Sequence, residues 1–509
     1  MKRKIFIAAL ASLLLVFNWG CEDYLDVNHD PNVLEAIPDA KVLLPSAEIG
    51  LANQLMGWDF GFGGAYWVQY WTQSYTASQF KALCEYQDAS FGSAYGELTA
   101  GVLADLNKIK KLTADKEEAR GIYFVAEALS IYTWQVITDV WGNVPYFEAL
   151  RGDENISSPK FDTGDVIYAD LQDRIDALLA LDMSGATLDS KFDFIYAGNI
   201  ANWIRFANSL KLKLMIRQSE TSNYSNAAAL AFIQSADLLV SSAKIDGSVW
   251  SDTQEGKRHP MREFQEGGAN YLSTNVIACK SFVDYLATNV DPRLSVYFTQ
   301  NTSGEFQGAF FGDFDSKENS DGAGATDDKE SYSKAAFAGD QDIMIMSDWE
   351  VNFYIAEVYA RASDPEAKTY YDLGVQASLV QNGISDFSII NAGGKAEWQN
   401  LTVEGNIKQI AMQKWVANAY YQHIESFLER NRTKYPSVNP MDIKLDRENA
   451  FRNFPIGQLT VSVNGRAKLN GNLPASPIYP EAVLTRNENA PGQKINVGEK
   501  VWWNKKAGL

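Results

Sequence analysis

The chain of 509 residues has few of the side chains that usually carry chemistry. It holds three cysteines, Cys21, Cys84 and Cys279, and three histidines, His29, His259 and His423. So few cysteines exclude a disulfide-built scaffold, and no two histidines have the spacing of a zinc site. No GxSxG elbow is present, so a serine triad has no local signature. Gly61-Phe62-Gly63-Gly64 is rich in glycine, but Tyr66 stands where a GxGxxG phosphate loop needs another. In Asp313-Phe314-Asp315-Ser316-Lys317 a lysine replaces an oxygen ligand of an EF-hand. These patterns call for no metal and no cofactor. Basic charge is also scarce: 45 Lys and Arg face 64 Asp and Glu, a net charge of −19. Such a balance argues against nucleic acid, whose phosphates need a basic face, and against electrostatic attachment to an anionic membrane. After residue 20 no apolar run reaches the ~20 residues of a membrane-spanning helix.

What is present begins at the N-terminus. Lys2, Arg3 and Lys4 precede the apolar stretch Ile5 to Phe17, then Asn18-Trp19-Gly20-Cys21 and the acids Glu22 and Asp23. A basic start, a short apolar core and a small residue before the cut form a secretory signal over residues 1–20. A cysteine directly after Gly20 points to a lipoprotein with Cys21 as the acylated N-terminus. Membrane attachment then comes from acyl chains, at roughly 0.8 kcal/mol per buried methylene. Residues 21–39 read as a tether, rich in Pro, Asn and Asp from Asp26 to Asp39, and residues 40–509 as the folded body. Cys84 and Cys279 either pair or stay as buried thiols; burial suits a small apolar side chain better.

The body is predicted to be mainly α. Gly92 to Leu112, Lys116 to Trp141, Asp165 to Leu181 and Asn199 to Arg217 carry apolar residues at helical spacing. Ser347-Asp348-Trp349-Glu350 has the form of a capping box, with Glu350 expected to fold back on Ser347 and the helix to run to about Arg361. Asp364-Pro365 starts another, in which Ala367, Tyr371 and Gly374 alternate small and aromatic residues as tetratricopeptide-type pairs do. No strict 34-residue period recurs, so such repeats are degenerate. Residues 248–273 and 300–339 break the helical pattern and read as elaborated loops. Short β-like runs such as Leu459 to Val463 mark an irregular C-terminal part.

Aromatic residues are the positive signal for function. Trp58, Phe60, Phe62, Tyr66, Trp67, Tyr70, Trp71 and Tyr75 crowd one segment. If Ala65 to Phe80 is a helix, Trp67 and Trp71 share one face and Tyr66 and Tyr70 the next. Each ring alone is most simply a core residue. A single helix does not easily bury so many, so part of the cluster is expected to line a cleft where flat π-faces stack on sugar rings or peptide side chains. The candidate ligand-binding residues are Trp58, Trp67, Tyr70, Trp71, Trp250, Phe310 and Phe311. A different reading is a surface glycoside hydrolase or lyase, which needs two carboxylates about 5–5.5 or 6.5–9.5 Å apart; Asp59 beside Trp58 is its first candidate. A third is an adaptor that uses the helix pairs for protein contacts and binds no small ligand.

Several segments in order resemble the SusD/RagB outer-membrane lipoproteins. They are Tyr24 to Asn28, Asp139 to Leu150 (DVWGNVPYFEAL), Pro159 to Asp162 with Ile167-Tyr168, and Trp203 to Arg217. Asp291 to Leu294, Glu350 to Ala360, Gln413-Lys414-Trp415 with Glu425 to Pro436, Pro477 to Glu481 and Val501-Trp502-Trp503 complete the series. The resemblance implies a SusD-like α fold: degenerate tetratricopeptide-type helix pairs as scaffold, few short strands and a loop-rich ligand face. It also implies a non-enzymatic, cell-surface protein of the outer membrane that captures an oligosaccharide or a peptide. Such a protein closes as a lid over a TonB-dependent transporter of the SusC/RagA type. Most of the matching residues are expected to be scaffold. Lys414, Glu425, Glu429, Arg430 and Arg432 read as a buried polar network that fixes helix register, and Trp502-Trp503 as a clasp for the C-terminus.

Overall fold

The computed structural model describes residues 39–74, 77–254, 256–263, 275–314, 331–445 and 447–508. Cys21, the leader and the tether up to residue 38 lie outside them, as do 264–274 and 315–330 of the two loop regions. The architecture is mainly α. Its principal helices are α1 (Leu44–Leu55), α2 (Gly63–Trp67), α3 (Leu103–Thr113), α4 (Arg120–Trp141), α5 (Gly164–Leu179) and α6 (Ile200–Arg217). After the loop regions come α7 (Asp348–Arg361), α8 (Glu366–Gln381), α9 (Val403–Asn418) and α10 (His423–Thr433). The helix expected over Gly92 to Leu112 is less regular than its spacing predicts. Gly92–Gly96 passes through a π-helical stretch, Glu97–Val102, before α3 begins; the interior glycines Gly96 and Gly101 weaken a regular helix there.

α4 is buried on all sides except at Arg120 and Tyr123, the mark of a central helix. α3, α5 and α6 pack against it, and Gly142 ends it at φ +86°, a positive φ that glycine adopts most readily. α7 and α8 form the closest helix pair, as the small–aromatic alternation predicts. A Cβ on Gly374 would lie 2.7 Å from the ring of Phe353, so only glycine allows this approach.

Ser347 caps α7, its hydroxyl accepting the Glu350 amide at 3.1 Å, but the expected capping box does not close. The Glu350 carboxylate turns inward, 2.7 Å from Lys213 Nζ, and accepts from Tyr354 and Gln422. It belongs to a buried charge network that ties five helices together. Arg217 on α6 reaches Asp139 on α4 at 2.8 Å, and Glu425 and Glu429 on α10 at 2.6 Å each. Lys213 also meets Glu425 at 2.9 Å, and Lys414 on α9 meets Glu429 at 3.0 Å. Arg432 is forked between Glu357 at 2.6 Å and Glu429 at 2.7 Å. Charges so far from water are costly unless each has its partner in good geometry, as these do. Burial alone pushes Glu425 and Glu357 upward, yet Arg217 with Lys213 holds the first, and Arg432 with Arg361 the second, down to about 2.

Strands are few and short. Trp71–Thr72, Ile277–Ala278, Lys334–Ala335 and Phe298–Thr299 form an antiparallel sheet in that order. Ala243–Ile245 pairs with Ile343–Met346, and Gln458–Thr460 runs parallel to Ser437–Asn439. Cys84 and Cys279 are both free and buried, and burial pushes both thiols up. Trp503 is fully buried under the Arg217 guanidinium, and Trp502 lies edge-on to Tyr168 at 4.8 Å, so the C-terminal segment is clasped to α5 and α6.

Candidate functional site

The aromatic segment does not form the helix considered for Ala65 to Phe80. α2 stops at Trp67, Gln69 takes a left-handed φ of +60°, and Trp71–Thr72 enters the sheet. Rings that would crowd one helix are thereby sent in different directions, and each meets its own wall of the core. Trp67 packs between Phe91 (4.9 Å) and Phe427 (5.0 Å). Tyr70 lies against Phe282 at 4.8 Å and bonds to Ser426 Oγ and the Trp415 carbonyl. Trp71 stands edge-on to His423 at 5.0 Å. Phe311 faces Tyr86, and Phe310 joins a small cluster with Phe454, Ile443 and Val463. Trp67, Tyr70, Trp71, Phe310 and Phe311 are at most 3% exposed, so they hold the fold and offer no stacking face. The glycines beside them have a structural reason. A Cβ on Gly64 would lie 2.5 Å from the backbone of His423, where α2 is pressed onto α10.

Asp59, the carboxylate first considered for hydrolysis, accepts the Ala94 amide at 2.9 Å and so satisfies the start of the Gly92–Gly96 helix. His423 sits among the buried rings. Its Nδ1 lies 2.7 Å from the Gly61 carbonyl, and its Nε2 accepts the Tyr420 amide at 2.9 Å. That arrangement requires the neutral ring protonated on Nδ1, and burial lowers its pKa to about 4.

Two candidate surfaces remain. One is an aromatic rim that keeps the other two tryptophans of the expected set. Trp58 is half-buried, its indole propped against Phe80 at 4.2 Å and Phe62 at 5.8 Å. Trp250 is half-buried and edge-on to His259 at 5.8 Å. The short helix Pro260–Glu263, which follows His259, packs on the Trp58–Phe62 turn, with Met261 against Gly61. Trp58 and Trp250 thus belong to one assembly.

The other surface, which the sequence did not suggest, is a cleft of about 620 Å³. Tyr285 and Tyr371 form its floor, with Gln399, Gln409, Lys408 and Gln458 around it and Leu401 and Ile456 exposed at the lip. Tyr371 donates to the Ala396 carbonyl at 2.8 Å, and Gln409 Nε2 donates to the Glu397 carbonyl at 2.7 Å. Glu397 is its one carboxylate and accepts the Gly393 amide at 2.8 Å. These residues come from separate segments and carry no shared spacing, so no local pattern marks them. Among the described residues no His, Cys, Asp and Glu side chains cluster as a metal site would need, and no helix is long and apolar enough to cross a membrane.

With this geometry in hand, the relatives can be compared. A family model described as SusD-like, starch-binding and associating with the outer membrane matches residues 31–454. The chain belongs to the SusD-like family. No curated protein sequence matches it significantly. Among solved structures, a chitin-binding SusD homologue from Flavobacterium johnsoniae aligns with a TM-score of 0.70 at 18% identity, covering 91% of this chain and 99% of that one. A SusD homologue from Bacteroides uniformis aligns at 0.69 and 20% identity, covering 91% and 99%. One from Bacteroides thetaiotaomicron gives 0.69 at 20%, covering 92% and 100%. At these identities the structures establish a shared SusD-like fold over nearly the whole length.

Proposed function

We propose that the protein is a lipid-anchored glycan-binding protein of the outer-membrane surface, held by Cys21, that delivers its ligand to a SusC/RagA-type TonB-dependent transporter. The observation that carries this reading is membership of a family described as starch-binding and outer-membrane-associated. Two aligned structures described as chitin-binding agree with it. The aromatic rim supplies the chemistry: half-buried Trp58, packed on Phe80, and half-buried Trp250 in the same assembly are the indoles against which a sugar ring would stack. A peptide is the alternative ligand. The hydrolase reading has lost its leading residue, since Asp59 is engaged by backbone amides.

Calorimetry against chito-oligosaccharides, malto-oligosaccharides and mixed peptides tests the proposal. Binding of a glycan is expected, with Trp58→Ala weakening it about tenfold or more, as for a Trp anchor, while the unfolding midpoint stays close to that of the parent. Gln409→Ala, in the cleft, should leave affinity unchanged. Loss of binding only in the cleft variant would move the site there. Shortened glycan products from the pure protein would make it an enzyme.

A further inference from the structure

A second pocket, remote in chemistry from the aromatic rim, collects positive charge in an otherwise acidic protein. It measures about 300 Å³ and is lined by Arg430, Lys434, Lys500, Asn431, Asn472 and Asn496 among others, with no carboxylate among the described residues that line it. Two of its cations are buried. Arg430, 4% exposed, donates from Nε to the Pro436 carbonyl at 3.3 Å, while its Nη2 is buried with no partner. Lys434 donates from Nζ to Asn504 Oδ1 at 2.7 Å and makes no ion pair among the described residues; the Asn504 Nδ2 beside it is also buried without a partner.

Every other buried Lys or Arg among the described residues is neutralised. Lys213, Arg217, Lys280, Arg293, Lys414 and Arg432 each have a carboxylate oxygen within 3.0 Å. A buried cation without such a partner is expensive, and unsatisfied donors beside it add to the cost. The imbalance shows in the groups themselves: burial first, then the neighbouring cations, lowers Lys434 to about 7, and burial lowers Arg430 to about 10. An anion entering the pocket would supply the missing charge and the acceptors at once.

We propose that this pocket is an oxyanion site that takes the sulfate or carboxylate group of a small acidic ligand. Arg430 brings a guanidinium whose Nη2 lacks a partner, Lys434 a point charge, and Lys500 a third cation at the exposed edge. The asparagine amides suit further oxygens of the ligand. The oxyanion has two possible sources, a free inorganic anion or an acidic sugar, and the probes below separate them.

Calorimetric titration of the purified protein with sodium sulfate, sodium glucuronate and neutral glucose, at constant ionic strength, is the test. Saturable binding of sulfate or glucuronate is expected, with none for glucose. Lys434→Gly and Lys500→Gln should each weaken it about tenfold or more, since a hydrogen bond to a charged group is lost. Lys434 has φ +63°, where glycine fits, and Lys500 is exposed, so both variants should fold. Lys108→Gln, at an exposed position of α3, should change nothing. A response to sulfate alone assigns the site to a free anion, and tighter binding of glucuronate assigns it to an acidic sugar. Absence of saturable binding by either anion overturns the proposal, as does binding that survives both pocket variants. Neither result would touch the glycan reading, which rests on family membership and the aromatic rim.

Discussion

Arg430 and Arg432 stand two residues apart on α10 and are both buried, yet their surroundings are opposite. Arg432 is gripped by two carboxylates and closes a network that reaches α4, α6, α7 and α9. Arg430 faces a pocket with no acid among its described lining residues. The difference separates two uses of buried charge. Where every ion has its partner, the charges set helix register, because any slip would strand several at once. Where the counter-charge is missing, the same residue type leaves attraction unspent and available to a ligand.

The largest expected effect breaks the first half of this comparison. Arg432→Met leaves Glu357 and Glu429 without their main partner and should destabilise the protein by about 3–5 kcal/mol, read from urea unfolding midpoints. Arg430→Met removes a charge that has no partner to strand. Its cost should stay within about 1 kcal/mol. Equal losses in the two variants would mean that packing of the aliphatic stems, and not pairing, decides both.

Much of this division was legible before any coordinates. Helical spacing placed α4 to α6 within a few residues of their ends, and Ser347 announced the start of α7. The charged residues of Glu425 to Arg432 could be read as a network because six of eight positions on a helix that packs into the body are ionic or polar. Which carboxylate each one meets was not readable, since Asp139, Glu350 and Glu357 approach from other helices. The capping-box expectation for Glu350 went wrong for the same reason: Lys213, far away in sequence, offers the carboxylate a stronger partner than the cap amide. The aromatic site was misread in the opposite direction. Local spacing from Trp67 to Trp71 implied a two-faced helix, but the left-handed turn at Gln69 splits the rings among separate walls. The basic pocket and the cleft gave no local signal, because each is assembled from segments far apart in sequence.

The next effect in size concerns acid. Burial lowers His423 to about 4 and His259 to about 3, against an ordinary value of 6.5. Above pH 6.5 both rings are neutral in the folded and unfolded chain and contribute no slope. As pH falls from 6.5 to 4 the unfolded chain takes up the proton and the folded one does not, so stability falls. For His423 alone the loss approaches ~3 kcal/mol by pH 4. Glu357 and Glu425, held at about 2 by their cationic partners, carry the decline on below pH 4.5. Urea unfolding at pH 7, 6, 5 and 4 should show this slope, and His423→Asn should flatten it between 6.5 and 4. A parallel slope in the variant would place the acid sensitivity elsewhere.

The smallest effect sharpens the second half, because it runs on the alkaline side. Burial, Arg430, Lys500 and Lys506 together depress Lys434 to about 7, below the ordinary 10.5. Between those values the unfolded chain holds a proton that the folded chain has released, so this group makes stability rise with pH from about 7 to 10.5. Lys434→Gly should abolish that rise and add about 1 kcal/mol at neutral pH by relieving a left-handed residue. Sulfate offers a separate check on the unmutated protein. An anion in the pocket favours the charged ammonium and raises the folded-state value, so the rise should shrink as sulfate is added. The paired network around Arg432, already neutralised, gives no such response.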